Sequence, residues 1–372
     1  MRAWAEVSLE NIKDNCKLIR SKADGAMICA VVKADAYGHG AVAVAKALEP
    51  SVDYFAVATV DECAALRQSG ITKPMLTLGI SESERAVEIA ELALDQTVGS
   101  LEYARELSDA LAGSGKRIAV HFAVDTGMSR LGFETDADVI ERSANAICEA
   151  ASLPNIEPRG IFTHFATSEI PNEEFQAEQL ARFEKLLDML SAKGLEFPIV
   201  HASNSGAILN IAPARLGMVR PGILLYGVSP DRDVAPVEGL KPAMSLRARL
   251  VQTHDYSGAM SASYGRRFRS DGPIRTGTVS IGYADGLHRA LSTKLEVLVR
   301  GKKVKQIGNI CMDMMIIDLT NCPEAKAGDT VTIFGADGGE HIAIEEVAEK
   351  AGSIPYEMMC APNSRVTRVY DR

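Results

Sequence analysis

At 372 residues, 47% apolar and 24% charged, the chain has the balance of a globular protein long enough for two domains with cores of their own, which excludes disorder. A net charge of −9, with Lys and Arg scattered, argues against nucleic acid as a partner, because phosphate recognition needs a basic face. Seven widely spaced cysteines without a CxxC pair indicate neither a disulfide framework nor a zinc site, and no signal-peptide core or membrane-length apolar run is present, so a cytoplasmic protein with no membrane partner and no metal is expected.

In chain order, Leu9, Ile12, Cys16 and Ile19 recur at helical spacing, with Ser8 placed to cap the helix. The apolar run Ile28 to Val32 follows, then a glycine-bounded loop and an alanine-rich helical stretch from Gly40 to Leu48. Apolar runs return near 54–58, 75–78, 96–98, 118–124, 157–163, 197–201 and 216–220, most of them followed by helical stretches such as 61–69, 100–112, 136–150 and 174–193. Alternating strand and helix suits a (β/α)8 barrel or an open doubly wound sheet, and about eight runs favour the barrel. After about residue 238 the texture changes to runs such as 245–251, 295–300 and 330–334, punctuated by Gly, Asp and Pro. The expected fold is therefore α/β, an N-terminal (β/α)8 TIM-type barrel over 1–238 and a mainly β domain over 239–372, with Ser229 to Pro242 as the connection.

Lys33 ends the first run, where a barrel strand delivers its side chain to the catalytic face. A lone lysine after a strand is most often a solvated surface charge. The apolar run before it changes that reading, since desolvation favours the neutral amine that can attack an aldehyde.

The segment AVVKADAYGHG (30–40) resembles the cofactor-lysine motif of the alanine racemases, barrel-type enzymes that use pyridoxal 5'-phosphate. Eight further motifs match in family order: HFAVDTGMSRLG (121–132), THFA (163–166), HASNSG (201–206), VRPGI (219–223), SYG (263–265), IGYADG (281–286), ICMD (310–313) and YE (356–357). They extend over nearly the whole chain.

The resemblance implies an isomerase that interconverts L- and D-alanine and supplies D-alanine for peptidoglycan. Lys33 would hold the cofactor as a Schiff base, and two bases would exchange the α-proton on the external aldimine. Lys33 would be one and Tyr264 the other, since racemisation needs proton removal on one face and delivery on the opposite face. Tyrosine near its ordinary pKa of about 10 is a poor base at neutral pH, so its proton must be relayed or its pKa lowered. In the family this tyrosine serves the neighbouring subunit's cofactor, which implies a head-to-tail homodimer with shared sites.

Arg220 resembles the arginine facing the pyridine nitrogen; a guanidinium only donates, so that nitrogen stays unprotonated and the electron sink is weakened. Ser205, Gly222 and Ile223 lie in the loops after the seventh and eighth runs, where barrels often bind phosphate, and Tyr37 and Tyr356 match family phosphate contacts. His164 resembles the ring stacked on the cofactor. Arg130 resembles the residue near the cofactor phenolate and the substrate carboxylate. Met312 and Asp313 match a segment lining the partner's substrate pocket, and Tyr283 is a supporting residue. Alone, Tyr264 reads equally as a packed aromatic, Arg220 as a surface ion pair, His164 as a core histidine, Met312 as a core filler and Asp313 as a loop cap.

One position departs from the pattern. Family members often carry a carbamylated lysine seven residues before the arginine; here Ala123 stands there, and an anion or another carboxylate is expected to replace it. Competing readings are a serine or broad-specificity racemase, a non-catalytic carrier of the cofactor, and a decarboxylase of the same architecture. The β domain with Tyr264 and Met312 speaks against the carrier, and Tyr356 beside the substrate methyl favours alanine over serine.

Overall fold

The computed structural model describes residues 1–171, 173–230 and 237–371, which fall into two compact units. One comprises Ile12–Ala36 and Ala41–Lys241; the other comprises Met1–Asn11, Tyr37–Gly40 and Pro242–Arg372. Residues 231–236 of the expected connection lie outside the described residues.

Strand β1 (Ala3–Val7) precedes the first unit. That unit is built on β2 (Met27–Val31), β3 (Tyr54–Val57), β4 (Met75–Thr77), β5 (Leu94–Val98), β6 (Ile118–Asp125), β8 (Ile156–Thr163), β9 (Ile199–His201) and β10 (Met218–Val219). Each pairs in parallel with its neighbours, β5 pairs β6 and β10 pairs β2, so eight strands close into the expected barrel; the short β7 (Phe133–Glu134) lies beside β6. Strands buried on both faces read as apolar runs, which is why they were visible without alternation. The helices between them form the outer layer and start at local caps: Thr59, Ser100 and Asn204 each accept a backbone N–H in the first turn. Phe55, Phe122, Phe165 and Phe183 are among the largest side chains wholly removed from solvent.

In the second unit β11 (Met244–Tyr256), β14 (Ile274–Val279), β17 (Met315–Asp318), β16 (Lys302–Ile307), β15 (Glu296–Val299) and β18 (Thr330–Asp337) pair in that order, and β18 returns to β11. The sheet continues through β19 (Glu340–Ile342) on one side, and through β1 and β20 (Thr367–Tyr370) on the other. The first residues thus pair with the last strand, which periodicity did not anticipate: five residues, AWAEV, carry too little pattern to announce a strand. Ser8 caps the first helix, as expected, accepting from the Asn11 N–H at 3.1 Å. The hairpin of β12 (Met260–Ala262) and β13 (Phe268–Ser270) is rooted by Ala262, Ile274 and Ile307, with Met260, Phe268 and Ile316 packed against them.

Candidate active site

Lys33 follows β2 and opens an unusual turn. Ala34, Asp35, Ala36 and Tyr37 all have φ between 52° and 55°, a left-handed turn made without glycine. Such a conformation costs about 1–2 kcal/mol per residue, so neighbouring contacts must hold it. Glu62 does so with both oxygens, accepting from Ala34 N–H and Ala58 N–H at 2.7 Å each. The Asp35 carboxylate accepts from Ala41 N–H at 2.7 Å, and Ala36 N–H reaches the Val32 carbonyl at 2.9 Å. Sequence reasoning saw the lysine but not this turn, since, Asp35 apart, none of its residues favours that region of backbone space.

Arg220, 3% exposed, sits just beyond β10 at the C-terminal end of the barrel strands. Its Nη2 donates to the Thr163 carbonyl at 2.8 Å and the Ala202 carbonyl at 3.0 Å, and its Nη1 donates to His201 Nδ1 at 2.7 Å. Phe162 lies under the guanidinium at 5.2 Å and stacks on His201 at 4.9 Å and 17°. Burial draws the Arg220 pKa down to about 10, which leaves it cationic at neutral pH. His164 is half-buried at the end of β8, and burial first, then the charges of Arg220, Arg130 and Lys33, lower its pKa to about 3. Its ring is therefore neutral.

Ser205 begins the helix Ser205–Asn210, and its Oγ accepts from Gly222 N–H at 2.9 Å, so the two loops expected to bind phosphate do meet. Ile223 opens the short turn Ile223–Tyr226, and its N–H has no carbonyl one turn earlier to bond. Arg130 is exposed on the loop after β6 and makes no hydrogen bond or ion pair among the described residues. It lines a cavity of about 420 Å³ with Asp125, Glu134, Asp136 and Arg182. Ala123 is buried and pairs with Phe162 of β8.

The second unit carries the remaining candidates. Tyr264, at the tip of the β12–β13 hairpin, is 75% exposed, and Asn309 Nδ2 fixes its carbonyl at 2.7 Å. Tyr283 N–H and Ala284 N–H donate to the Cys311 and Met312 carbonyls at 3.0 and 2.9 Å, so the 281–286 turn and the 310–313 loop lie backbone to backbone. Gly282 permits this approach, because a Cβ there would overlap both carbonyls. Arg2 bridges the Asp285 carboxylate and the Asp313 carbonyl at 2.6 Å each, and Arg365 binds the Asp313 carboxylate at 2.6 Å. Asp313 is thus tied down while Met312 is left exposed. Tyr37 and Tyr356 approach with ring centroids 6.0 Å apart, and burial pushes the Tyr37 phenol up, keeping it a donor.

Among the buried polar residues of the barrel strands, the ionisable His121, His201 and Asp95, none more than 2% exposed, were not singled out from the sequence. His121 and His201 each open a quoted motif, and Asp95 is the one carboxylate in the buried strand Leu94–Val98, LDQTV. A polar side chain at an inward position of a predicted barrel strand was the available signal.

The donor set suits pyridoxal phosphate. Arg220 Nε makes no hydrogen bond among the described residues, while each Nη atom is engaged, so the Nε–H is open to a ring nitrogen. Ser205 Oγ and the Ile223 N–H supply neutral donors for a phosphate, and Lys33 supplies an amine.

The family model described as the alanine racemase N-terminal domain matches residues 7–230, and that of the alanine racemase C-terminal domain matches 243–370. The chain is 44% identical over 367 residues to alanine racemase 2 of Caldanaerobacter subterraneus subsp. tengcongensis, covering 98% of this chain and 94% of that protein. It is 38% identical over 371 residues to the alanine racemase of Clostridium perfringens, covering 99% and 95%. Among solved structures, alanine racemase of Clostridium difficile superposes with a TM-score of 0.93 at 38% identity, covering 100% of this chain and 96% of that one. Alanine racemase of Bacillus anthracis with bound L-Ala-P gives a TM-score of 0.93 at 34% identity, covering 100% and 95%.

Proposed function

The chain belongs to the alanine racemase family, and from that membership we propose that it interconverts L- and D-alanine, with pyridoxal phosphate held by Lys33 and with Lys33 and Tyr264 as its two acid–base groups. The observation that carries the reading is Arg220, a buried cation with both Nη atoms engaged and Nε left for a ring nitrogen. When bound, the cofactor withdraws electrons from the substrate α-carbon and so acidifies its proton.

The protein's own groups do the rest. Lys33 Nζ takes or returns the α-proton on one face, and Tyr264 Oη does so on the other. Arg220 Nε donates to the ring nitrogen and, being unable to give up its proton at neutral pH, keeps that nitrogen unprotonated. Ser205, Gly222, Ile223, Tyr37 and Tyr356 are assigned to the phosphate, and His164, held neutral by burial and three cations, to the cofactor's face. Arg130 is assigned to the phenolate and the substrate carboxylate, with a bound small anion in the role that a carbamylated lysine plays in relatives. Met312 lines the substrate pocket, with Asp313 and Tyr283 in support.

We assign cofactor binding to the barrel part, 1–238, with Tyr356 as an added phosphate contact, and the second base to 239–372. An exposed Tyr264 beside an exposed Met312 supports a head-to-tail homodimer in which each chain lends both to its partner's site. No helix among the described residues is long and apolar enough to cross a membrane, and the proposed setting is the cytoplasm, supplying D-alanine for peptidoglycan.

The test is the visible spectrum of the purified protein together with chiral chromatography of incubated L-alanine. The expected result is a cofactor band and D-alanine, both lost in Lys33→Ala; retention of both in that variant overturns the reading. Faster D-serine than D-alanine production at equal substrate concentration would overturn the choice of alanine.

A further inference from the structure

A row of polar side chains runs through the interior of the barrel, from Arg220 beyond the C-terminal end of β10 to Asp95 near the N-terminal end of β5. Arg220 Nη1 meets His201 Nδ1 at 2.7 Å and His201 Nε2 meets His121 Nδ1 at 2.8 Å, while His121 Nε2, buried and with no closer partner, faces Asp95 Oδ2 at a longer 3.4 Å. Asp95 Oδ1 accepts from Arg159 Nη1 at 2.7 Å, and Tyr54 Oη donates to Oδ2 at 3.1 Å. Gly160 makes the room, since a Cβ there would overlap the His121 ring.

The donor and acceptor inventory gives this row a direction. Arginine donates only, and each end of the row is an arginine. A neutral histidine donates from one nitrogen and accepts at the other, so two histidines in series pass the polarity along without reversing it. Two donor ends can be reconciled only by one group that accepts on both sides, and in this row that group is the Asp95 carboxylate.

We propose that Asp95 is a positioning residue for Arg220: it terminates a one-way row in which His121 and His201 are each held neutral with the proton on Nε2, so that His201 presents a bare Nδ1 to the guanidinium. Burial, the largest influence on both rings, lowers their pKa values and agrees with two neutral imidazoles. With Nη1 held by that lone pair and Nη2 by two carbonyls, the plane of the guanidinium is set, and its Nε is left for the cofactor ring nitrogen. The proposal rests on the reading that Arg220 serves that ring.

The row makes a prediction that bulk packing does not. In Asp95→Asn, Arg159 holds the amide oxygen and turns the NH2 toward His121. His121 Nε2 must then accept, both imidazoles switch tautomer, and His201 presents N–H to Arg220, donor against donor. In Asp95→Asn/Arg159→Met the amide is released, its oxygen returns to His121, and the original tautomers are restored.

The experiment is 15N spectroscopy of histidine-labelled holoenzyme, wild type and both variants, alongside titration of apoprotein with pyridoxal phosphate. Wild type should show unprotonated Nδ1 on both rings. Asp95→Asn should show protonated Nδ1 on His201 and cofactor affinity lower by about 10- to 100-fold, the scale of one hydrogen bond to a charged group. The double variant should recover both. A protonated Nδ1 on His201 in wild type overturns the proposal even if no variant folds. So does a single variant with unchanged tautomers, or a switch of tautomer that leaves affinity intact. Arg220→Gln separates the parent reading: unchanged affinity there removes Arg220 from the cofactor and with it the row's effect on binding, whereas the wild-type tautomers would still report whether the row itself exists.

Discussion

Glu62 is a surface-helix residue whose carboxylate holds two backbone N–H groups that no other element satisfies, one of them in the left-handed turn after Lys33. Replacing it with Ala removes both bonds, at a cost of about 1–3 kcal/mol. The expected outcome is a lower urea midpoint together with weaker cofactor binding, because the turn leads directly from the lysine. Glu62→Gln keeps one acceptor and should recover part of the loss; equal loss in both variants would count against this account. Gly160→Ala tests a different kind of constraint. Its methyl group would occupy space taken by the buried His121 ring, and overpacking of that sort costs about 1–3 kcal/mol. Denaturant unfolding checks it, and wild-type stability would mean that the ring moves aside freely.

Among the elements, the β12–β13 hairpin separates presentation from chemistry. Its base is apolar and its tip carries Tyr264, 75% exposed. Tyr264→Phe removes one hydroxyl and leaves the hairpin's apolar base untouched, so Tm should stay within about 2 °C, while kcat falls by about 10²- to 10⁴-fold for a lost general acid–base group. Phe268→Ala should behave differently, lowering stability along with activity because it loosens the hairpin's root. If Tyr264→Phe melted early with activity per folded molecule intact, the tyrosine would be structural.

For the molecule as a whole, two predictions follow from buried histidines and exposed site residues. His121 and His201 are fully buried with pKa values held below the ordinary 6.5 by desolvation. Between that value and the depressed native ones the unfolded chain binds protons that the native chain does not. Stability therefore falls as pH drops below about 6.5, by about 1.4 kcal/mol per pH unit for each ring. Urea midpoints compared at pH 7.5 and 5.5 should show the decline. The proposed homodimer gives the second prediction: specific activity should fall on dilution in step with the sedimenting dimer, and a fully active monomer would refute shared sites.

The sequence by itself determined the alternation of strand and helix and the change to a mainly β second part, and it nominated the residues proposed for the chemistry. Parallel barrel strands announce themselves as apolar runs because both faces are buried, and helices by their own period; both signals are local. Lys33, Tyr264 and Arg220 could be nominated because nine motifs in order carried a family resemblance, not because their neighbourhood was readable. Only the tertiary structure decided the pairing of Ala3–Val7 with β20, the left-handed turn held by Glu62, and the row from Arg220 to Asp95. Each depends on residues far apart in the chain, brought into register when eight strands close or a sheet accepts a distant strand. Which inward side chains then meet is set by that closure and not by any local pattern. His121, His201 and Asp95 show the difference: as letters they are polar residues in apolar strands, and as neighbours they form one directed row.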